Sequence, residues 1–255
     1  MRSLIDLTGS HPMSFDVDRL RADLERVEGK DWVRHYDSTQ PSGWTTLVLR
    51  SIHGSLSGPD SIRHGPWEHY RNTTLLADCP YMREVIESFK CPTGRVRLSK
   101  MAPHTKINPH RDIGDEVASV AFRQVRLHIP ITTTDKVVFF LGNERFRMAA
   151  GRLYYADFAK SHSVRNDGDE ARVHLFLELK MNDWLRDIFP RFTVAEKLDM
   201  AAQRIYLPAF WKLRKQWLFN TRVRAAKEMY EGSAAQTLVR WMRGRGRVRT
   251  TSGRT

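Results

Sequence analysis

Cysteine and long apolar runs are both scarce in this sequence, and each absence excludes a class of protein. The 255 residues include only Cys79 and Cys91, too few for the disulfide framework of a small secreted domain. We expect both to be buried thiols in a reducing cytoplasm. No apolar stretch approaches the length of a membrane-spanning helix, and the first residues lack the apolar segment of a signal peptide. The length suits one substantial core, and we expect a cytoplasmic protein.

Acidic residues are scarce in the last quarter of the chain. Residues 191–255 carry fifteen Lys/Arg and four Asp/Glu, so +11 of the total net charge of +13 lies there and only +2 in residues 1–190. A charge asymmetry of this kind indicates a partner, here an acidic one, rather than a particular fold. We therefore divide the chain into a folded domain over 1–190, a basic helical extension over 191–242 and a disordered Arg/Gly tail over 243–255.

The middle of the chain is predicted to be β-structure. From Gly94 to Met181, short strand patterns are separated by Pro, Gly, Asn or Asp turns, which is typical of a sandwich or barrel. An earlier strand is predicted over 44–52. A polar loop rich in Gly and Pro follows over 55–67, a natural position for a mobile segment that faces a substrate.

Helices are predicted on both sides of these strands, and the chain has no internal repeats. Apolar residues at helical spacing define them. Pro208 and Gly232 are predicted boundaries, because proline interrupts helices and glycine commonly ends them. The predicted helices cover residues 17–27, 80–89, 193–206, 208–231 and 234–242.

Two histidines and an aspartate form the most informative pattern. Residues i and i+2 of a strand share a face, so His110 and Asp112 can bind one metal ion from the same side. His162, from a distant strand, would supply the third ligand. Two imidazoles and a carboxylate on one triangular face leave the opposite positions open for a co-substrate and dioxygen, the arrangement typical of non-haem Fe(II) oxygenases. The alternative is an ordinary hydrogen-bonded polar cluster.

Two predicted strands carry charged residues on one of their faces. Arg126 and His128 alternate with apolar residues on the first strand, and Arg172 and His174 do so on the second. An arginine inside a barrel is costly unless an anion neutralises it. The fork of a guanidinium suits a carboxylate, so a dicarboxylate that binds both the metal and an inward arginine would satisfy such a site.

Residues 43–188 resemble the aspartyl/asparaginyl β-hydroxylase family of Fe(II)/2-oxoglutarate-dependent dioxygenases. The resemblance covers more than half of the chain. It implies a mainly β fold, with a double-stranded β-helix (jelly-roll or cupin-like) core and flanking helices. The matching residues are Gly43-Trp44-Thr45, Arg97-Leu98-Ser99-Lys100-Met101-Ala102-Pro103-His104-Thr105, Pro109-His110, Arg126-Leu127-His128, Gly151-Arg152-Leu153-Tyr154, Ser161-His162 and Arg172.

The resemblance also implies an activity and the residues that perform it. The enzyme would hydroxylate a C–H bond with Fe(II), 2-oxoglutarate and dioxygen, and would release succinate and CO2. His110 and His162 would bind the iron. Arg172, with help from Ser99, would hold the distal carboxylate of 2-oxoglutarate. The two residues that would lie near its metal-chelating end are Arg126 and His128.

The sequence departs from the family pattern at a position that bears on the substrate. The animal enzymes that hydroxylate aspartyl and asparaginyl residues have no carboxylate two positions after the first histidine, where this chain has Asp112. The site therefore looks more like that of bacterial amino-acid hydroxylases, which keep the full triad. The segment before Arg126 is also longer, and its acidic run over 112–116 would form a lid or substrate loop. We expect an amino acid, or an amino-acid residue of a peptide or carrier-bound substrate.

Several of these side chains also have structural explanations. Arg172 would alternatively form a buried salt bridge with Glu178 or Asp157. His174 is expected to be structural, and His104 to belong to the turn before the metal-binding strand.

The strand over 44–52 adds two candidate substrate contacts. If it faces the pocket, Trp44 would line it and Arg50 would hold a substrate carboxylate. The alternative for Arg50 is a surface position on an edge strand.

The basic extension suggests where a partner would bind. Residues 210–219 are both aromatic and basic, and would lie on an anionic membrane surface or grip an acidic carrier or peptide. Alternatively, they would pack their tryptophans on the barrel. Specific nucleic-acid binding is not expected, because no folded recognition module accompanies the tail. The alternative to an enzyme is a non-catalytic β-helix binding protein that acts through this extension.

Overall fold

Antiparallel strands and flanking helices form the first of two compact units, residues 1–205 and 206–255. The computed structural model describes residues 2–34, 43–112 and 119–231. The strands are β1 (Leu4–Asp6), β2 (Val33–Arg34), β3 (Trp44–Ile52), β4 (Tyr70–Asn72), β5 (Thr93–Met101), β6 (Thr105–His110), β7 (Gln124–Thr132), β8 (Val137–Leu141), β9 (Glu144–Phe146), β10 (Tyr154–Ala156), β11 (His162–Asn166) and β12 (Arg172–Lys180). The α-helices are α1 (Val17–Val27), α2 (Pro59–Ile62), α3 (Pro80–Ser88), α4 (Asp183–Asp187) and α5 (Val194–Glu231).

The strands form two sheets that enclose a shared interior. The larger sheet runs β1-β10-β7-β12-β5-β3-β2, with β4 also paired to β3, and the smaller runs β6-β11-β8-β9. From β5 to β12 the chain passes back and forth between the sheets, with β8 and β9 together in the smaller one. This connectivity is that of a double-stranded β-helix, so the predicted fold class is confirmed.

The two faces of the larger sheet bury different kinds of residue. On β12 the apolar residues from Val173 to Leu179 join a core that is closed by α1 and α3. Their neighbours point the other way, between the sheets, because side chains alternate along a strand. A smaller apolar cluster in that interior includes Met101, Phe139 and Val164. The polar residues buried on the inner face of the larger sheet include Arg95, Arg97, Ser99, Arg126, His128, Arg172, His174 and Glu178.

Helix α1 forms where the leucine spacing predicts a helix, and it covers the outer face of the larger sheet. Asp16 caps it by accepting hydrogen bonds from the backbone amides of Asp18 and Arg19, which satisfies two otherwise free donors. Leu20 and Leu24 are buried on its inner side.

Helix α5 differs from the prediction in one respect. The sequence predicts two helices separated at Pro208, whereas α5 is continuous from Val194 to Glu231 with Pro208 inside it. A proline removes one backbone donor and crowds the preceding turn, and the hydrogen bonds on either side can hold a helix through it. No helix within the described residues is long and apolar enough to cross a membrane. The helix predicted over 234–242 and the tail over 243–255 lie outside those residues.

Candidate metal centre

The two sequence-predicted histidine ligands lie opposite each other in the smaller sheet. His110 at the end of β6 and His162 at the start of β11 are register partners, and their ring centroids are 4.1 Å apart. Asp112 follows His110 by two residues. One ligand atom from each of the three side chains lies within 4.8 Å of the other two. The fold thus brings the predicted triad together at one point in the interior.

Both histidines are held in a tautomer that leaves the Nε2 lone pair available to bind a metal. Nδ1 of His110 is 2.8 Å from the carbonyl oxygen of Asn108, and Nδ1 of His162 is 3.1 Å from that of Lys160. A carbonyl only accepts, so each Nδ1 carries the proton and each Nε2 presents its lone pair. Burial, and then the neighbouring His110, lower the pKa of His162 well below its usual value. Both features favour a neutral ligand with a fixed ring orientation.

The third member of the triad has one oxygen held by an arginine. Oδ2 of Asp112 accepts a hydrogen bond from the Arg126 guanidinium, while its Oδ1 lies 3.9 Å from Nε2 of His110. The carboxylate is therefore oriented, with one oxygen towards the histidines and the other neutralised. A carboxylate fixed in this way suits monodentate coordination.

Arg126 is itself held by a second buried carboxylate, Glu178. The other end of its guanidinium donates to Oε1 of Glu178 at 2.7 Å. Arg95 donates to both oxygens of Glu178, at 2.8 Å from Nε and 2.6 Å from Nη2. Burial alone would raise the pKa of Glu178, but Arg95 and Arg126 outweigh it and hold the pKa well below its usual value. Alternating buried charges thus extend from the triad into the larger sheet.

The far end of this network fixes the loop over 55–67. Arg95 donates to the carbonyl of Ile62 and contacts Nε2 of His64. Arg97 donates to the carbonyls of Ser61 and Ile62 at 3.1 and 3.3 Å. The loop that the sequence predicts to be a mobile substrate-facing segment is therefore tied to the barrel by two buried arginines.

Arg172 is buried without a carboxylate partner among the described residues. It is 2% exposed, lies 5.0 Å from the centre of the Phe139 ring, and donates at 2.9 Å to Nδ1 of His174. Its Nε makes no hydrogen bond in the described structure, and burial lowers its pKa to about 9. The suggested salt bridges are not formed, because Glu178 pairs with Arg95 and Arg126, and Asp157 binds Gln203. An anion beside Arg172 would relieve this desolvation.

His128 and His174 link Arg172 to the triad. Arg172 only donates, so Nδ1 of His174 accepts, and Nδ1 of His128 at 3.4 Å then donates to it. The ring of Phe158 lies 5.0 Å from His128 and 4.6 Å from His162. Nε2 of His128 and Nε2 of His174 are buried and make no hydrogen bond in the described part of the chain. The interior thus holds polar atoms that a small polar molecule would satisfy.

Two further predicted residues lie near the triad. Nε1 of Trp44 donates to Oγ of Ser99 at 3.0 Å, and the Trp44 ring lies 6.0 Å from that of His110. Ser99 is the register partner of His174 on β12. Trp44 and Ser99 therefore contact each other beside His110 and His174.

Two other residues singled out in the sequence lie elsewhere. The guanidinium of Arg50 donates to the carbonyls of Thr93 and Tyr70 and to the side chain of Asn72. These contacts hold the Arg50 guanidinium between β3, β4 and β5. His104 is exposed and contacts Asp169. The acidic run after Asp112 lies outside the described residues from position 113.

Sequence reasoning missed the roles of Glu178 and Arg95. Strand alternation offers a signal for Glu178, which shares a face of β12 with Arg172 and His174. That signal indicates an inward carboxylate without indicating which arginine it binds. Arg95 is harder to find, because its partners are set by the pairing of β5 with β12.

Known proteins resemble this chain in sequence and in structure. A sequence profile described as Aspartyl/Asparaginyl beta-hydroxylase matches residues 14–181. Among solved structures, the chain is similar to a Pseudomonas putida prolyl-4-hydroxylase, at 11% identity over 71% of this chain and 94% of that one, with a TM-score of 0.43. A 2OG-Fe(II) oxygenase family oxidoreductase from Burkholderia pseudomallei matches at 14% identity over 64% and 77% of the two chains, with a TM-score of 0.37. A predicted oxalate decarboxylase from Thermotoga maritima matches at 15% identity over 39% and 74%, with a TM-score of 0.27. Because the profile covers more than half of the sequence, the chain belongs to the aspartyl/asparaginyl β-hydroxylase family.

Proposed function

We propose that this protein is an Fe(II)- and 2-oxoglutarate-dependent dioxygenase that hydroxylates a C–H bond of an amino acid, or of an amino-acid residue in a peptide or carrier-bound substrate. The proposal rests on two features that lie together in the space between the two sheets. One is the triad of His110, Asp112 and His162, with its donor atoms converging. The other is Arg172, buried and without a carboxylate partner among the described residues.

The donor set fits iron. Two neutral imidazoles and one carboxylate are the facial ligand set of non-haem Fe(II) oxygenases, and three protein ligands leave positions open. Both imidazoles present Nε2 because their Nδ1 atoms are bonded to carbonyls. Asp112 is the ligand that makes this set complete.

The interior also fits a dicarboxylate. Arg95, Arg97, Arg126 and Arg172 are buried there, against the two carboxylates Asp112 and Glu178, so these six side chains sum to positive charge. Arg172 offers its guanidinium, and His174 offers its protonated Nε2, which makes no hydrogen bond to any described residue. A molecule with a carboxylate at each end would satisfy both an arginine and a metal.

The chain's residues would bind, orient and exclude water. Bound Fe(II), 2-oxoglutarate and dioxygen would supply the oxidising chemistry: one oxygen atom would replace the C–H hydrogen as hydroxyl, and the other would enter succinate as 2-oxoglutarate loses CO2. His110, Asp112 and His162 would hold the metal, and Arg172 with Ser99 would hold the distal carboxylate. Arg126 keeps Asp112 oriented. The rings of Phe139 and Phe158 wall the interior, which would limit the access of water.

Anaerobic titration of the apoprotein with Fe(II) and 2-oxoglutarate tests this proposal. We expect the weak visible charge-transfer band of the chelate, and expect it to weaken in His110→Ala and Arg172→Ala variants. Arg165→Ala is the matched control, because Arg165 is exposed and pairs with Asp167. A folded wild-type protein that gives no band would exclude the oxygenase, and the β-helix would then be a binding scaffold.

The size of the substrate requires a separate experiment. Free amino acids and peptide- or carrier-bound residues would be supplied in parallel, with succinate formation as the readout. Turnover of free amino acids alone would assign a small-molecule hydroxylase. Turnover of the macromolecule alone would assign a role in substrate capture to surfaces outside the barrel.

A further inference from the structure

The first turns of α5 bury their polar side and expose their apolar side. Glu196 is 7% exposed and accepts hydrogen bonds from Arg2, at 2.8 Å from Nε. Gln203 is 1% exposed; it donates to Asp157 at 3.2 Å and accepts from Ser119 at 3.0 Å. The helix is therefore attached to the barrel by hydrogen bonds and ion pairs, which is the reverse of the usual arrangement for a surface helix.

The apolar residues of the same turns face solvent in one stripe. Val194, Leu198 and Ile205 are 74%, 66% and 76% exposed. Spacings of four and seven residues place them on the same side of an α-helix. The exposed Ala201 lies between them. A continuous aliphatic stripe on a helix that is already anchored indicates a surface that something else covers.

Cations accompany this stripe. Lys197 and Arg204 are exposed, and each precedes a stripe residue, so both lie on the same flank. Arg204 also donates to the carbonyl of Ala121 at 2.6 Å, which fixes its position. In sequence, residues 206–255 continue with Phe, Trp, Lys and Arg, and residues 191–255 carry a net charge of +11.

We propose that the outward face of α5 around Val194, Leu198 and Ile205 docks on an anionic lipid surface. An amphipathic helix with aliphatic and aromatic residues on one side and Lys/Arg beside them binds at the boundary between headgroups and acyl chains. Each Lys or Arg near such a surface adds to the attraction. A second copy of the chain is a poorer occupant, because it would bring two strongly cationic segments together.

A folded acidic protein is also a poorer fit than lipid. Protein interfaces usually depend on Trp, Tyr or Arg anchors that enter matching pockets. The stripe in the first unit is instead aliphatic and one side chain wide, and a fluid acyl layer receives such a stripe without a matching pocket. This inference is independent of the metal centre.

Vesicle co-sedimentation of the full-length protein tests the proposal. The probes are vesicles of phosphatidylcholine alone and of phosphatidylcholine with phosphatidylglycerol in equal parts, at low and high salt. We expect binding to the anionic vesicles only, weakened by salt because the charges are screened. The double variant Leu198→Gln/Ile205→Gln should lower the partition coefficient roughly tenfold or more, since two large aliphatic side chains lose their burial.

Val33→Gln is the matched control. Val33 is also aliphatic and 42% exposed, but lies on β2, so its replacement should leave vesicle binding unchanged. Absence of binding to anionic vesicles overturns the proposal, and so does equal binding by the double variant, which would show attraction by charge alone. Self-association, or binding to polyglutamate, that the double variant abolishes would also overturn it and assign the stripe to a second copy or to an acidic polypeptide.

Discussion

Arg172 and His174, two positions apart on β12, are joined by a hydrogen bond of 2.9 Å from the guanidinium to Nδ1 of the imidazole. Because arginine cannot accept, this bond fixes the His174 tautomer with its proton on Nε2. His174 also stacks on Phe139, with ring centroids 5.5 Å apart, and Phe139 lies beneath Arg172. His174 therefore orients the proposed carboxylate-binding guanidinium, although the sequence gives it only a structural role.

Replacing His174 is expected to weaken 2-oxoglutarate binding without changing iron binding. His174→Leu removes the acceptor, and a hydrogen bond to a charged group contributes about 1.5–3 kcal/mol, or roughly a 10- to 100-fold change in Kd. His174→Asn keeps an acceptor near the position of Nδ1 and should retain most of the affinity. Anaerobic calorimetry on the iron-loaded protein would measure both. Equal Kd values for wild type and the leucine variant would contradict the positioning role.

Glu178 is expected to be essential for stability. It lies 1% exposed between Arg95 and Arg126, so Glu178→Gln would leave two buried cations short of their shared anion, at a cost of about 3–5 kcal/mol. Chemical denaturation of the apoprotein would measure the free energy of unfolding. Glu84→Gln is the control, since Glu84 and its partner Arg19 are each 52% exposed and such pairs contribute about 0–1 kcal/mol. If Glu178→Gln and Glu84→Gln lowered the free energy of unfolding by similar amounts, the buried network would stabilise the fold no more than an exposed ion pair does.

Arg126 is expected to influence iron affinity through Asp112. Its guanidinium bridges Asp112 and Glu178, and the single ammonium of Arg126→Lys cannot reproduce that two-ended fork. Loss of such an outer partner typically costs about 10- to 100-fold in metal affinity, which competition with a chelator would measure. Arg165→Lys on β11 changes an exposed arginine and should have no effect. An unchanged iron affinity in Arg126→Lys would show that Asp112 orients itself.

The sequence indicates this site well because its signals are local. Strand alternation places Arg126 with His128 and Arg172 with His174 on inner faces, and the structure agrees. Which of these residues pair with each other is harder to predict from sequence, because the pairing depends on the register between strands that are far apart in the chain. The pairing of Glu178 with Arg126 follows from their alignment across β12 and β7, which no local pattern encodes.

The C-terminal helix shows a different limit. Its apolar spacing predicts a helix correctly, but spacing alone places the apolar side against the barrel. The structure reverses this in the first turns, because Glu196 and Gln203 find partners on the barrel. Local periodicity cannot anticipate hydrogen bonds to residues as distant in sequence as Arg2.

Acidification is expected to destabilise the protein partly through His11. Burial lowers the pKa of His11 from 6.5, so below pH 6.5 the unfolded chain binds a proton that the folded chain does not. Stability from this group is therefore present above pH 6.5 and is lost as pH falls, at up to about 1.4 kcal/mol per pH unit. In wild type, Nδ1 of His11 accepts a hydrogen bond from the Met13 amide at 3.0 Å, and the asparagine of His11→Asn can still accept it. The free energy of unfolding should therefore depend less steeply on pH in His11→Asn. Unfolding curves at pH 7.5 and 5.5 would measure this for both proteins. If the free energy of unfolding fell by the same amount in wild type and in His11→Asn, the contribution of His11 would be ruled out.

Truncation is expected to show where the folded barrel ends. Glu196 and Gln203 anchor the start of α5, and Gln203 is a hydrogen-bond partner of the fully buried Asp157. Removal of residues 191–255 would leave that polar group short of a partner, which is costly in a buried position. Removal of residues 206–255 keeps these bonds. We expect the longer deletion to lower the Tm by roughly 5–10 °C and the shorter one to leave it nearly unchanged, as measured by thermal unfolding. The matched comparison is decisive, because equal Tm losses in the two proteins would mean that the barrel depends on the extension itself and not on the anchoring residues of its first turns.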